Sequence, residues 1–203
     1  MLAGGISNRE YHGSIEILGR STAWSMINSC PAKVRHDINR PKPSTSALLI
    51  GNAFHSATLE PEKFDDEVAV KPNEIDGQGP RTKHYRESFE LMQKSEPDKI
   101  WLTESDYDSV SDMAASALDS PVLRHYMSDS KKLIEHTGFF EMEGAKCKVR
   151  PDLYAPGAGV VLDLKSTQDA SPKGFAKSVR QFGYLFQACG SMHAGRILGD
   201  KPE

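Results

Sequence analysis

The chain has 203 residues, of which 38% are hydrophobic and 26% are charged, and its formal net charge is −3 at neutral pH. These values predict a soluble globular protein with a substantial core, and no apolar run approaches the roughly 18 residues that a membrane span needs. The weak negative charge argues against a generally basic surface, so any nucleic-acid-binding surface must be local. No signal sequence is evident and the three cysteines are widely separated, which predicts buried or free thiols and a cytoplasmic location.

The first 128 residues are predicted to form a mainly helical part. Residues 1–19 mix glycines with polar and apolar residues and should be loosely structured. Helices are then expected at 21–29, 31–39, 44–59, 82–94, 104–118 and 121–127, with short strands at 67–70 and 99–102. Pro31 suits the first turn of its helix, and Thr103 with Asp106 resembles a capping box. Trp24 is expected to anchor the core of this part.

Two features of the helical part are candidates for function. His55 lies beside the apolar stripe of its helix, four residues after Gly51, which leaves a gap for something to approach. A lone histidine at such a position is more often structural or exposed than a ligand. A basic cluster follows the proline- and glycine-rich loop 71–80 and consists of Arg81, Lys83, His84 and Arg86. This cluster is either a solvated helix start or a mobile surface that contacts a nucleic-acid backbone, and both interpretations stay open.

The stretch Arg150–Thr167 contains two short apolar segments joined by a Pro-Gly-Ala-Gly turn, which predicts a β-hairpin. Folding the hairpin about this turn places Asp152 directly opposite Asp163, with Lys165 on the same side of the sheet as Asp163. Like charges that face each other destabilise a sheet. The two aspartates therefore need a compensating cation.

A second predicted hairpin adds a third carboxylate. Its elements are a strand at 131–140, a turn at 143–144 and a strand at 146–154. This register places Glu135 opposite Asp152, so that Glu135, Asp152 and Asp163 form a row across three adjacent strands. Three oxygen ligands of this kind suit Mg²⁺ or Mn²⁺ and differ from the thiolate and histidine ligands of zinc. Glu141 competes with Glu135 but lies nearer the turn, and a surface ladder of ion pairs is the structural alternative.

The segment 172–198 is predicted to form one long amphipathic helix. One stripe along it, at spacings of four, three, four and three, consists of Lys173, Lys177, Arg180, Tyr184 and Gln187. The other side carries Phe175, Val179, Phe182, Phe186 and Cys189. No acidic residue occurs in this segment, so the basic residues form either a DNA-binding face or an ordinary solvated face.

These motifs resemble a known group of nucleases. The pattern formed by Pro-Asp152 and by Asp163-Leu-Lys165 resembles the signature of the PD-(D/E)xK nuclease superfamily. Arg-Pro-Asp followed by Asp-Leu-Lys-Ser-Thr-Gln-Asp-Ala-Ser-Pro is similar, more narrowly, to the RecE-type exonucleases (exonuclease VIII) of phages and prophages. The segment GNAFHSATLEPEKF, which contains His55, and the pair Tyr184-x-x-Gln187 resemble further motifs of these enzymes.

The resemblance implies a PD-(D/E)xK restriction-endonuclease-like α/β core, in which helices flank a mixed sheet. It is expected as a single domain over 1–203, with the helical part at 1–128 and the catalytic sheet and helix at 129–203. The implied activity is that of a Mg²⁺-dependent exodeoxyribonuclease on linear double-stranded DNA, with Mn²⁺ able to substitute for Mg²⁺. By resemblance it degrades one strand 5′→3′, forms a homo-oligomer and supplies single strands to an annealing protein in recombination.

The resemblance also implies roles for individual residues. Asp152 and Asp163 hold the metal together with the backbone carbonyl of Leu164, and Glu135 and His55 complete the coordination or surround it. Lys165 orients the attacking water or stabilises the negative charge that develops at the phosphate. Tyr184 and Gln187 orient the DNA strand or nearby catalytic groups, and Lys173, Lys177 and Arg180 are expected to contact phosphates.

Other interpretations stay open. RecE-type domains continue past the Tyr/Gln helix into further strands, so this chain is expected to be a fragment or a naturally shortened version. A Cas4-like or restriction-type nuclease of the same superfamily is an alternative, although Cas4-like proteins bring cysteines for an iron–sulfur cluster and Cys30, Cys147 and Cys189 are scattered. The alternative from another class is a non-catalytic DNA-binding or assembly subunit that keeps the fold.

Overall fold

A computed structural model describes residues 2–198 apart from 5, 7, 15 and 41–43. Its helices are α1 (Asn8–Gly13), α2 (Arg20–Asn28), α3 (Pro31–Asn39), α4 (Ser46–Leu59), α5 (Pro61–Glu67), α6 (Lys83–Ser95), α7 (Glu104–Leu118), α8 (Pro121–Met127), α9 (Pro172–Phe182) and α10 (Tyr184–Leu198). Its strands are β1 (Leu2–Ala3), β2 (Val68–Val70), β3 (Ile100–Leu102), β4 (Leu133–Ile134), β5 (Thr137–Met142), β6 (Ala145–Val149), β7 (Leu153–Ala155) and β8 (Val160–Leu162). The predicted α/β fold class is confirmed.

The described residues form two compact units. One unit comprises 44–120, and the other comprises the residues before 44 together with those from 121 onward. The single domain predicted over 1–203, with its helical part ending at 128, stays a prediction. None of the helices in the described parts of the chain is both long and apolar enough to span a membrane.

The unit 44–120 is built from helices α4 to α7 and a parallel pair of strands, β2 and β3. Helix α4 packs against α7, and the core consists of Ala53, Phe54, Leu59, Val68, Tyr85, Trp101, Leu102, Val110 and Ala114. Three threonines, Thr45, Thr82 and Thr103, cap α4, α6 and α7 by accepting a backbone N–H with their side chains. Helix α5 was not predicted; it begins at Pro61, a residue that suits the first turn of a helix.

The expectation that residues 1–19 are loosely structured is wrong for those that the structure describes. Strand β1 pairs antiparallel with β5, and Leu18 forms a parallel bridge to Cys147 in β6. The buried ammonium of Lys148 donates to the backbone carbonyls of Tyr11 and Ser14, the latter at 2.8 Å. Burial lowers the pKa of Lys148, and the neighbouring Arg150 lowers it further. The N-terminal residues are therefore ordered by partners about 130 positions away.

Both predicted hairpin registers are confirmed. Met142 pairs with Ala145 across the turn between β5 and β6, and Ala155 pairs with Val160 across the turn between β7 and β8. The long strands predicted at 131–140 and 146–154 are each divided in two, however. The first break lies at Glu135, which adopts a left-handed backbone conformation with φ of 51°, and the second spans residues 150–152. The unit consequently has two three-stranded sheets, β1-β5-β6 and β4-β7-β8.

The long helix predicted at 172–198 is two helices. Gly183, with φ of 65°, ends α9, and α10 begins at the next residue. A Cβ atom at Gly183 would lie 2.6 Å from the Trp24 ring. The positive φ and this close approach both require glycine at the position. Trp24, expected as a core anchor, is half-buried and its ring lies 5.9 Å from that of Phe186. The predicted single stripe over both helices is therefore wrong.

Candidate metal centre

Asp152 is the buried carboxylate at the centre of the site, with 6% of its surface exposed. It precedes β7, all three of whose residues are buried. Its backbone carbonyl accepts the Glu135 N–H at 3.1 Å, and its side-chain Oδ2 accepts the backbone N–H of Leu164. A carboxylate that accepts a backbone N–H in a buried position is held in one orientation. Asp152 is thus fixed between two neighbouring segments of the sheet.

Asp163 lies opposite Asp152, one residue beyond the β7–β8 pair Leu153 and Leu162. Its Oδ2 forms an ion pair with Lys165 Nζ, and its Oδ1 accepts a hydrogen bond from Gln187 Nε2 at 2.6 Å. The Lys165 ammonium also donates to the Leu164 carbonyl at 3.1 Å. Lys165 therefore supplies positive charge beside the facing aspartates. Strand β8 ends at Leu162, so Asp163 and Lys165 lie in the segment just after the strand and not within it.

The first turn of α10 brings two predicted residues to this cluster. Lys165 Nζ lies 5.3 Å from the centre of the Tyr184 ring, and Gln187 reaches Asp163. Residues three apart lie on the same side of a helix, so both side chains point to one place. An ammonium over an aromatic ring is attracted by the ring face. Tyr184 and Gln187 thus hold Lys165 and Asp163 from the helix side.

Glu135 joins the row predicted from the register. One carboxylate oxygen of Glu135 and one of Asp152 lie within 4.8 Å of each other. The left-handed conformation of Glu135 is uncommon for a residue with a side chain and costs roughly 1–3 kcal/mol, and such conformations cluster at functional sites. Glu141, the competing residue, pairs with Lys146 beside the turn and is exposed. The geometry therefore favours Glu135 over Glu141.

Arg150 is a residue of this region whose contribution the sequence did not reveal. Only 6% of its side chain is exposed, and its Nε lies 3.9 Å from Glu135 Oε2. The guanidinium donates to Thr137 Oγ1 at 3.0 Å and to the Ile6 carbonyl at 2.9 Å, and it lies 4.2 Å from the Tyr11 ring centre. Its position directly before Pro-Asp was the one sequence signal that pointed to Arg150. Its contacts could not be predicted from the sequence, because most of these partners are distant along the chain.

The donor atoms fit a hard divalent cation. Three carboxylates, those of Glu135, Asp152 and Asp163, and the carbonyl oxygen of Leu164 offer oxygen alone, which is the ligand chemistry that Mg²⁺ and Mn²⁺ prefer. Mg²⁺ binds oxygen at 2.0–2.1 Å, so opposite ligands lie about 4 Å apart. The 4.8 Å limit for Glu135 and Asp152 is near this separation, and only small side-chain movements would be needed for both to bind one ion.

The family model for a PDDEXK-like domain of unknown function (DUF3799) matches residues 21–192. The chain belongs to this family. The PDDEXK-like match covers most of the chain, including residues of both units, and it supports the resemblance to the PD-(D/E)xK superfamily. No curated protein matches the chain.

The basic residues of this PDDEXK-like protein lie on α9, whereas Tyr184 and Gln187 lie on α10. Lys173, Lys177 and Arg180 are exposed on α9. The rings of Phe175 and Phe182, which lie on the other side of α9, are 6.2 and 5.9 Å from the Tyr184 ring. Tyr184 is therefore a neighbour of the phenylalanines and does not extend the basic stripe, because Gly183 changes the direction of the chain.

The remaining candidates of the PDDEXK-like chain lie in the unit 44–120. His55 is half-buried on α4, with its ring 6.0 Å from that of Phe54, and its role as a metal ligand stays a prediction. The basic cluster after loop 71–80 has local partners, which are Asp76 for His84, Glu87 for Lys83, and the Thr82 and Arg81 carbonyls for Arg86. These contacts favour an ordinary helix start.

Proposed function

We propose that this PDDEXK-like protein is a Mg²⁺-dependent exodeoxyribonuclease that acts on linear double-stranded DNA. The observation that carries the proposal is the joint contact of Lys165 and Gln187 with Asp163, opposite the buried Asp152. The resemblance to RecE-type exonucleases supports exonuclease activity with 5′→3′ polarity, which produces single strands. It equally supports a homo-oligomer and an annealing protein as partner.

In the proposed enzyme, Glu135, Asp152, Asp163 and the Leu164 carbonyl would hold Mg²⁺, or Mn²⁺ in its place. A bound divalent ion supplies Lewis acidity at the phosphate and lowers the pKa of bound water. The protein's own contribution is to fix these oxygens before the DNA arrives. Asp152 is fixed by the Leu164 N–H, and Asp163 by Gln187.

Lys165 is the group that acts on the substrate in this proposal. Its ammonium is already positioned by Asp163, the Leu164 carbonyl and the Tyr184 ring. A fixed positive charge stabilises the negative charge that develops on the phosphate without any rearrangement at the moment of reaction. The same donor can also orient the attacking water. Four-fifths of the side chain is covered, which strengthens its electrostatic effect.

Digestion of labelled duplexes tests the proposal. We expect linear duplex DNA to lose its 5′-terminal label as short products in the presence of Mg²⁺ or Mn²⁺, while the 3′-labelled strand is shortened progressively. Covalently closed circular duplex should stay intact, and EDTA should stop the reaction. Cleavage of the circle would indicate a restriction-type endonuclease instead. Binding of duplex without hydrolysis in any divalent metal would indicate a non-catalytic subunit.

Metal binding should stabilise the fold through Glu135. Because an ion that binds only the folded state stabilises it by about 2.7 kcal/mol at a hundredfold excess over its Kd, Mn²⁺ should raise the melting temperature. Glu135→Gln should reduce this increase, since one ligand charge is removed. Glu141→Gln is the matched control and should leave the increase unchanged, because Glu141 is exposed beside the turn. If only Glu141→Gln abolished the increase, the assignment of Glu135 would be wrong.

Phosphate contacts by α9 predict a salt-dependent effect. Replacing Lys173, Lys177 and Arg180 by glutamine should lower the log–log slope of duplex binding against salt, by up to about 0.9 for each phosphate that is no longer neutralised. Fluorescence anisotropy with Ca²⁺ in place of Mg²⁺ measures the affinity while avoiding cleavage. The control replaces Lys33, Lys63 and Lys94, which are paired with acids on their own helices or caps. Equal slopes for the two triple variants would show that the basic residues of α9 do not contact phosphates and form an ordinary solvated face.

A further inference from the structure

Three aromatic side chains form a group beside the acidic cluster. This aromatic group consists of Phe175, Phe182 and Tyr184, with ring centres 6.2 Å apart for Phe175 and Tyr184 and 5.9 Å apart for Phe182 and Tyr184. Phe175 is 41% exposed and Phe182 is 47% exposed. No residue of α9 is buried. An amphipathic pattern such as that of α9 usually indicates that the apolar side is packed against another element. Here that side is accessible to solvent at both phenylalanines.

The group is continuous with the proposed catalytic residues. The ammonium nitrogen of Lys165 lies 5.3 Å from the centre of the Tyr184 ring, and Lys165 forms an ion pair with Asp163. A substrate phosphate bound at Lys165 therefore has the aromatic group as its immediate neighbour on the α10 side. Exposed apolar groups in such a place mark binding surfaces more often than chance defects of packing.

The two helices that carry the group are basic, which favours an anionic ligand. Helices α9 and α10 contain no acidic residue, while α9 carries Lys173, Lys177 and Arg180. A ligand that combines flat aromatic rings with negative charge is a nucleotide. Aromatic side chains bind nucleotides by stacking on the base, and this mode tolerates any base sequence.

We propose that Phe175 and Phe182 form a stacking site for unpaired or terminal DNA bases next to the scissile phosphate; this inference rests on the proposed nuclease function and deepens it. Inside a duplex both faces of every base are covered by neighbouring bases. A phenyl ring can therefore stack only on a base at the end of the duplex or on one released from pairing. The site consequently selects a frayed DNA end over the interior of a duplex.

The geometry of α9 allows the two phenylalanines to be substituted without changing the basic residues. Phe175 and Phe182 are seven residues apart and lie on one side of α9, whereas Lys173, Lys177 and Arg180 lie on the opposite side. Substitutions at the phenylalanines remove rings and leave the charge of the helix unchanged. Since both rings are exposed, the variants should fold like the parent protein.

The test measures the affinity for a single-stranded oligothymidylate of about 12 nucleotides, a length within the usual site size of such proteins. Measurements use Ca²⁺, so that hydrolysis does not interfere. The double variant Phe175→Leu/Phe182→Leu keeps apolar side chains but no rings, and it should bind about fivefold to a hundredfold more weakly for each ring that stacks. Phe175→Tyr/Phe182→Tyr should retain the affinity. Leu185→Ala, which changes an apolar side chain that is 71% exposed, should also retain it.

Several results would overturn the inference. These are absence of oligothymidylate binding by the parent protein, unchanged affinity of the leucine variant, or an equal loss in the tyrosine variant. A change in the oligomeric state of the leucine variant with unchanged affinity would show that the aromatic group is a contact between copies. Because the assay needs no cleavage, its outcome is separate from the end-labelled digestion. If the parent protein did not cleave DNA but the leucine variant still bound oligothymidylate more weakly, only the proposed function would be contradicted.

Discussion

Asp163→Asn should lose nearly all Mg²⁺-dependent cleavage of linear duplex DNA and keep its fold. The substitution removes the charge that pairs with Lys165 and that would hold the metal, but it retains the shape of the side chain. Lys165→Ala should be similarly impaired. Loss of a single preorganised electrostatic group typically lowers the rate about 10²–10³-fold, so turnover measured with purified variants should fall at least that far.

A matched control exists for each of these substitutions. Asp169→Asn changes an exposed aspartate in the loop after the motif, where asparagine can also accept the Ser171 N–H. Lys131→Ala changes an exposed lysine ahead of β4. Both controls should cleave at the rate of the parent protein. Near-normal turnover by folded Asp163→Asn or Lys165→Ala would show that the reaction takes place elsewhere.

Arg150→Met should have the largest effect on stability. Its side chain is buried, and its guanidinium pairs with Glu135 and donates hydrogen bonds to Thr137 Oγ1 and to the Ile6 carbonyl. Loss of the guanidinium removes the donor to the fully buried Thr137 side chain and to the Ile6 carbonyl, and each buried group left unsatisfied costs about 1–3 kcal/mol. Chemical denaturation of the metal-free protein should show a loss of this size.

A surface arginine provides the comparison for Arg150. Arg35 is exposed on α3, and Arg35→Met should change the free energy of unfolding by no more than about 0.5 kcal/mol. Because Arg150 also lies beside the Glu135 carboxylate, adding Glu135→Gln to Arg150→Met should restore part of the loss. If Arg150→Met were no more destabilising than Arg35→Met, the buried network would contribute nothing measurable.

The local part of the site was predictable from sequence. Turns rich in glycine and proline fix the pairing of the strands that flank them, so the registers that align Glu135, Asp152 and Asp163 followed from the turns alone. Spacing also identified Tyr184 and Gln187 as neighbours on a helix. These features depend on residues close together in the chain.

The parts that the sequence did not reveal depend on distant partners. The pairing of β1 with β5 and the contacts of Arg150 with Tyr11 join residues more than 130 positions apart. The close approach of the Trp24 ring to Gly183, which excludes any side chain there, also joins distant parts of the chain. A periodic apolar pattern located the phenylalanine side of α9 but carried no information on whether another element covers it.

The stability of this unit should be unevenly distributed, and α9 is one of its least stable elements. Because no residue of α9 is buried, opening this helix alone exposes little additional apolar surface. The Ser171 hydroxyl caps one end of α9 and the left-handed Gly183 ends it at the other, so the helix is a short element that can unfold as one local unit. Strand β7, which follows Asp152, is entirely buried and opens only with the sheet. The Asp152 carboxylate is thus attached to a part of the unit that opens only with the sheet, whereas the helix that bears Phe175 and Phe182 can open by itself.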